Sequence, residues 1–276
     1  MDAFDTASIH AFLDDDNRAA FASIEVVDAI DSTNSELLRR RTPETGVVAL
    51  FADTQLGGRG RLGRAWASPP GANLYVSLAR CFPGDLARLG GLSLVVGVAA
   101  AEAMRALGAS GVSVKWPNDL VVDDDGLRKL GGVLIEGGVQ DGVPRAVIGI
   151  GLNVCMPADA ATAIDQPWID LRELLGGDAP SRASVAASLL ASLADALARF
   201  DADGLAPFLS RFEALDALRG AQIDAVVSGH AASGTAMGLA PDGALLLRTD
   251  TGVQALHAGE VSVRRRAGSQ PRASQA

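Results

Sequence analysis

The stretch Gln55-Leu56-Gly57-Gly58-Arg59-Gly60-Arg61-Leu62-Gly63-Arg64-Ala65-Trp66 interleaves four glycines with three arginines. Glycine lets backbone N–H groups close on an anion, and guanidinium forks match phosphate oxygens, so the segment reads as an anion-binding loop. Its surroundings decide which scaffold carries it. Gly58, Gly60 and Gly63 satisfy G-x-G-x-x-G, but a dinucleotide-binding turn must open a helix, and here Ser68-Pro69-Pro70-Gly71 follows. Gly58 and Gly63-Arg64 imitate a P-loop, yet Arg64 stands at its lysine and Ala65 at its hydroxyl residue. Both nucleotide folds are thereby rejected, leaving a loop suited to a polyanion on a different scaffold.

Lysine usage supplies an independent clue. The chain has 22 arginines and only two lysines, Lys115 and Lys129. Arginine replaces a compact ammonium poorly in a small pocket, which weights both lysines toward function. Lys115 lies in Val114-Lys115-Trp116-Pro117-Asn118-Asp119, and Lys129 opens Lys129-Leu130-Gly131-Gly132-Val133-Leu134-Ile135-Glu136. Strands are expected over 47–52, 73–79, 112–115, 120–122, 132–136 and 146–154. Asp123-Asp124-Asp125-Gly126 reads as a tight hairpin turn that brings the two lysines together.

Helices are expected over 92–107, 183–200 and 205–218; in the second, Val185, Leu189, Leu193, Leu197 and Phe200 recur at nearly helical spacing, and the third stops at Gly220. Beyond Gly220, short strands at 222–227, 235–239, 244–248, 253–256 and 261–263 suggest a small β-barrel. The chain thus divides into an acidic lead-in segment, 1–20, a main domain, 21–219, a barrel, 220–266, and a polar tail, 267–276, expected to be disordered.

At 276 residues and 48% hydrophobic content the chain can bury a sizeable core. Its net charge of −9 argues against general binding to nucleic acid or anionic membranes, so the basic loop must act on small anions. Cys81 and Cys155 lack C-x-x-C spacing, and His10, His230 and His257 are scattered, so a reducing cytoplasm and no dedicated protein cage for a metal are expected. Met1-Asp2-Ala3-Phe4-Asp5 does not begin a signal peptide, and the apolar run from Leu92 stops at Glu102.

Asp31-Ser32-Thr33-Asn34, the glycine–arginine loop, KWPND, KLGGVLIE and Gly149-Ile150-Gly151-Leu152-Asn153-Val154 occur in the order found in biotin protein ligases. Trp168-Ile169-Asp170-Leu171 resembles the family's adenine-contacting segment, and Gly243-Ala244-Leu245-Leu246-Leu247 and Gly259-Glu260-Val261 its C-terminal barrel. The resemblance implies an α+β fold: a mixed β-sheet catalytic domain backed by helices, as in class II synthetases and lipoate ligases, followed by an SH3-like barrel. Only 31 residues precede Ser32, so the chain resembles the monofunctional class that lacks the DNA-binding domain of the ligase-repressors.

The implied reaction is ATP-dependent biotinylation of a lysine on a biotin carboxyl carrier protein or domain, through biotinyl-5′-AMP and with Mg²⁺. A homodimer is left open. By resemblance, Ser32, Thr33, Asn34 and Gln55 bind the ureido ring, joined around biotin by Arg59, Gly60, Arg61 and Lys129. Arg61, Arg64, Lys115, Asn118, Asn153 and Trp168 face ATP, while Arg61, Lys129 and Asp119 are the catalytic candidates. Asp31-Ser32-Thr33-Asn34 also reads as a helix cap ahead of Glu36-Leu37-Leu38. Asp119 is assigned to orient and deprotonate the incoming amine. Lipoate ligases share the architecture, but an apolar acyl pocket would lack ureido partners. A non-catalytic biotin sensor is the other alternative.

Overall fold

A computed structural model describes residues 4–178, 180–227, 229–259 and 261–266. The chain opens with two short helices, α1 (Thr6–His10) and α2 (Asp15–Ala19), and then enters β1 (Phe21–Ile30), α3 (Thr33–Arg39), β2 (Val47–Gln55) and β3 (Leu74–Cys81). After α4 (Leu92–Ala106) come β4 (Val112–Lys115), β5 (Asp119–Asp123), β6 (Leu127–Gln140) and β7 (Val143–Leu152). These strands form one sheet in the order β1-β2-β3-β7-β6-β5-β4. Only β1 and β2 run parallel within it, so the sheet is mixed.

Central β3, Leu-Tyr-Val-Ser-Leu-Ala-Arg-Cys, is buried along most of its length because α3 covers one face and the main core the other. On the α3 side, Leu37 packs with Leu50, Ala79 and Val147. The opposite face carries α4 and α6 (Arg182–Asp203), reached after the single turn α5 (Leu171–Leu174). A Cβ on Gly97 would approach Val114 Cγ1 to 2.9 Å, which explains why so small a residue lies at the α4–β4 contact. Ser192 Oγ on α6 donates to the Ala99 carbonyl at 2.8 Å, tying the two helices together. The helical span Leu86–Ala106, which ends in α4, and α6 are long and apolar enough to cross a bilayer, but here their apolar faces form the core against each other and the sheet.

From α7 (Ala206–Leu215) the chain passes into β8 (Gln222–Val227), β9 (His230–Leu239), β10 (Leu245–Thr249), β11 (Gly252–Leu256) and β12 (Val261–Arg265). These make the antiparallel sheet β11-β10-β9-β8-β12 of the C-terminal barrel. Its apolar face, including Ile223, Leu245 and Leu247, joins the main core. Trp116 Nε1 donates to the Gly243 carbonyl at 3.0 Å, and Arg265 reaches Asp123 at the end of β5 at 2.6 Å.

Several expectations change in detail. The lead-in carries two helices and is docked, with Ile9 and Leu13 in the core. Strand β1 was not expected; as an edge strand it buries little beyond Ile24 and shows weak alternation. The third long helix ends at Leu215 rather than 218, because Asp216 turns extended and Ala217 N–H bonds to the Val114 carbonyl. Strand β6 runs from Leu127, well before the expected 132, since glycines 131, 132, 137 and 138 depress its sequence signal without breaking the ladder with β7. The tail, 267–276, and Glu260 of the barrel motif lie outside the described residues.

Candidate active site

The N-terminus of α3 builds the polar floor of the site. Ser32 caps the helix, its Oγ accepting from Ser35 N–H at 3.4 Å, and Thr33 and Asn34 turn inward and are buried. Thr33 N–H and Oγ1–H both point to Gln55 Oε1, at 2.9 and 3.1 Å. Ser77 Oγ, from the middle of β3, lies 2.7 Å from Thr33 Oγ1 and 2.6 Å from Asn34 Oδ1. These three close oxygen–oxygen contacts share only two hydroxyl protons, so one oxygen pair always lacks a hydrogen. The floor has surplus acceptor capacity, which a ligand N–H can satisfy. Asn34 fits only because residue 149 is glycine: a Cβ there would stand 2.4 Å from Asn34 Oδ1.

The glycine–arginine loop closes on itself through Gly60 N–H to the Arg64 carbonyl at 2.8 Å and Trp66 N–H to the Gly58 carbonyl at 2.9 Å. Leu62, at φ 57°, and Gly63, at φ 72°, make the left-handed tip. Arg59 donates to Ser35 Oγ at 3.1 Å and approaches Glu136 at 3.6 Å. Arg61 bonds Asn118 Oδ1 at 3.1 Å and the Gly259 carbonyl of the barrel at 2.5 Å. Arg64 is exposed at the rim of the cavity.

The β4–β5–β6 meander brings both lysines to one carboxylate. Asp119 Oδ1 is 2.6 Å from Lys129 Nζ, and Oδ2 is 3.2 Å from Lys115 Nζ. Burial pushes the Asp119 carboxyl up, but the two ammoniums outweigh it and hold the group below its ordinary value. Lys129 Nζ also sits 5.3 Å from the centre of the Trp66 ring. A Cβ on Gly132 would come within 3.3 Å of that nitrogen, so the paired glycines after Lys129 leave room for its side chain. Asn153 Nδ2 donates to the Lys129 and Ile169 carbonyls, at 3.3 and 3.1 Å, pinning the Trp168 segment beside the lysine. That leaves Oδ1 as the atom Asn153 offers a ligand.

Every candidate residue read from the sequence borders a single cavity of about 1310 Å³. Its walls include Ser32, Thr33, Asn34 and Gln55 at the floor, Arg59, Gly60, Arg61 and Arg64 on the loop, and Lys115, Asn118, Asp119, Lys129, Asn153 and Trp168 opposite. Three residues were missed. Ser77 was readable as a hydroxyl interrupting an otherwise apolar strand, and Glu136 and Trp66 stood inside quoted motifs without a role. Asn118 also proves more committed than expected, its Nδ2 donating to the Val133 carbonyl at 2.8 Å. Among the described residues no group of three or more His, Cys, Asp or Glu converges as a metal site.

Residues 26–153 match the biotin/lipoate A/B protein ligase family, and residues 225–264 the biotin protein ligase C-terminal domain. The chain is 41% identical over 244 residues to the bifunctional ligase/repressor BirA of Escherichia coli (strain K12), covering 88% of this chain and 74% of that protein. It is 33% identical over 238 residues to the biotin–[acetyl-CoA-carboxylase] ligase of Paracoccus denitrificans, covering 84% of this chain and 96% of that one. Among solved structures, biotin protein ligase from Aquifex aeolicus in complex with biotin and ATP superposes with a TM-score of 0.75 at 28% identity, over 89% of this chain and all of that one.

Proposed function

The chain belongs to the biotin protein ligase family, and on that premise we propose that it joins biotin to a carrier-protein lysine through biotinyl-5′-AMP. The observation carrying this proposal is the pairing, in one cavity, of an acceptor-rich floor with a cluster of cations. The floor suits the N–H groups of a ureido ring. The cations suit a carboxylate meeting a polyphosphate.

In the first half-reaction a biotin carboxylate oxygen bonds to the α-phosphorus, the bond from that phosphorus to the bridging oxygen breaks, and pyrophosphate leaves with the electron pair. Carboxyl pKa values of roughly 4 to 5 mean the nucleophile is already ionised, so no base is required. The barrier is anion–anion repulsion. Lys129, Lys115, Arg61 and Arg64 are proposed to offset it, acting where charge accumulates in the transition state. Magnesium is proposed to enter on the phosphates of ATP, consistent with its usual reliance on substrate oxygens and few protein ligands. Trp168 and Asn153 Oδ1 are proposed to receive the nucleoside.

In the second half-reaction the carrier amine attacks the acyl carbon, the anhydride C–O bond breaks and AMP departs. A lysine amine, with a pKa of about 10.4, must first lose one proton to water, and its second is released to solvent as the amide forms. The sequence assigns the first proton to Asp119. Two ion pairs make its carboxylate a poor acceptor, so we assign it instead to positioning Lys129 and Lys115. A biotin carboxyl carrier domain is the proposed acceptor, with the cytoplasm as the compartment. The test is a lysine-bearing carrier domain incubated with the protein, biotin and ATP and followed by intact mass. One added biotinyl group on the acceptor lysine supports the proposal; an unmodified carrier contradicts it.

A further inference from the structure

Behind the cavity wall, Glu136 on β6 touches the floor through a single residue. Its Oε2 accepts from Asn34 Nδ2 at 2.7 Å, and the Leu134 carbonyl faces the same nitrogen at 3.5 Å. Neither group can donate a hydrogen bond. The carboxamide of Asn34 must therefore present its NH₂ to them and its oxygen to Ser77, 2.6 Å away. In the flipped amide, Asn34 Oδ1 would sit against a carboxylate and a carbonyl, two acceptors with no proton between them. Such a clash in a buried site is costly, because Asn34 is only 4% exposed.

We propose that Glu136 is a positioning residue that sets the hydrogen-bonding sense of the biotin pocket, holding Asn34 so that Oδ1 adds to the acceptor surplus awaiting the ureido N–H. This rests on the biotin reading of the cavity. Glu136 does not border the cavity itself, so it acts through Asn34. Its second oxygen lies 3.6 Å from Arg59 Nη2, and that guanidinium also holds Ser35 Oγ at 3.1 Å. The same carboxylate thus carries a partial counter-charge to the glycine–arginine loop. Loss of the acceptor frees Asn34 to rotate and places an NH₂ where the ligand needs an oxygen.

The experiment compares Glu136→Met, which keeps length but can accept only weakly through sulfur, with Glu136→Gln, whose amide oxygen remains a full acceptor. KM for biotin, KM for ATP and kcat are measured by biotin-dependent pyrophosphate release, alongside the thermal midpoint. For Glu136→Met the expected result is a biotin KM raised about tenfold or more, the scale of a hydrogen bond to a charged group, with the ATP KM and kcat within about threefold. Discrimination between biotin and a ureido N-methyl analogue should shrink as well. Glu136→Gln should keep the biotin KM within about threefold of wild type. An unchanged biotin KM in folded Glu136→Met, or an ATP KM raised as much as the biotin KM, overturns the proposal. Should Glu136→Met fail to fold, a loss beyond tenfold in folded Glu136→Gln overturns it, since charge rather than orientation would then matter. Wild-type protein that releases no pyrophosphate with biotin sinks the biotin reading itself, a result separate from either variant outcome.

Discussion

One carboxylate faces two ammoniums at Asp119, and that ratio shapes the chemistry the residue can perform. Its lowered pKa means that acid should not protonate it until well below neutral pH, so any loss of activity near pH 6 must come from another group. Lys129→Ala removes the cation nearest the carboxylate and leaves Asp119 with one partner; biotin-dependent pyrophosphate release should fall by about a hundredfold or more. Release within a few-fold of wild type would remove Lys129 from the reaction. Asp119→Asn frees both lysines and should slow adenylate formation as well as transfer, whereas a general base would affect transfer alone. Single-turnover measurement of the two half-reactions separates these outcomes. The two lysines were legible because the sequence avoids lysine everywhere else. The hairpin that brings them together was legible too, but their common carboxylate was not, because the β5–β6 register that sets Lys129 beside Asp119 shifts between Leu120 and Val121.

Among the elements, the long helices and barrel strands announced themselves through period and turn residues, whereas the edge strand β1 and the end of α7 did not. Asp216 explains the latter. It leaves the helix as extended backbone, its Oδ1 accepts from Leu218 N–H at 2.9 Å, and its Oδ2 is shut off from solvent without a partner. Burial pushes its carboxyl up to about 6, with Arg219 pulling down and Glu213 pushing up. The folded protein therefore keeps a proton between about pH 4 and 6 that the unfolded chain releases. Stability falls as pH rises through that window, and the full penalty, at most about 2–3 kcal/mol, is present above it. Asp216→Asn should raise the thermal midpoint by a few degrees at pH 8, and the gain should shrink toward pH 4. An equal gain at both pH values would show that the titration is not responsible.

At the scale of the molecule, the glycine–arginine loop is tied to both sheets, since Arg61 bonds Asn118, between β4 and β5, and the Gly259 carbonyl, just ahead of β12. The loop's anion-binding composition was plain in the sequence, but its tie to Gly259, 198 residues away, was not. Arg61→Gly cuts both contacts at once. Its expected effect is premature escape of biotinyl-AMP, read as biotinylation of bystander proteins such as serum albumin; strict carrier specificity with unchanged biotin affinity would count against the loop as a cover.

Both halves of the proposed reaction depend on one enzyme-held intermediate formed where the polar floor meets the cations. The most direct measurement mixes purified protein with biotin and ATP labelled in the α-phosphate, omits any carrier, and analyses the quenched mixture by mass spectrometry. Biotinyl-AMP should appear at about one per active site with matching pyrophosphate, and lipoate in place of biotin should yield none. Formation of ADP and phosphate instead, or an adenylate of lipoate in preference to biotin, would contradict the assignment.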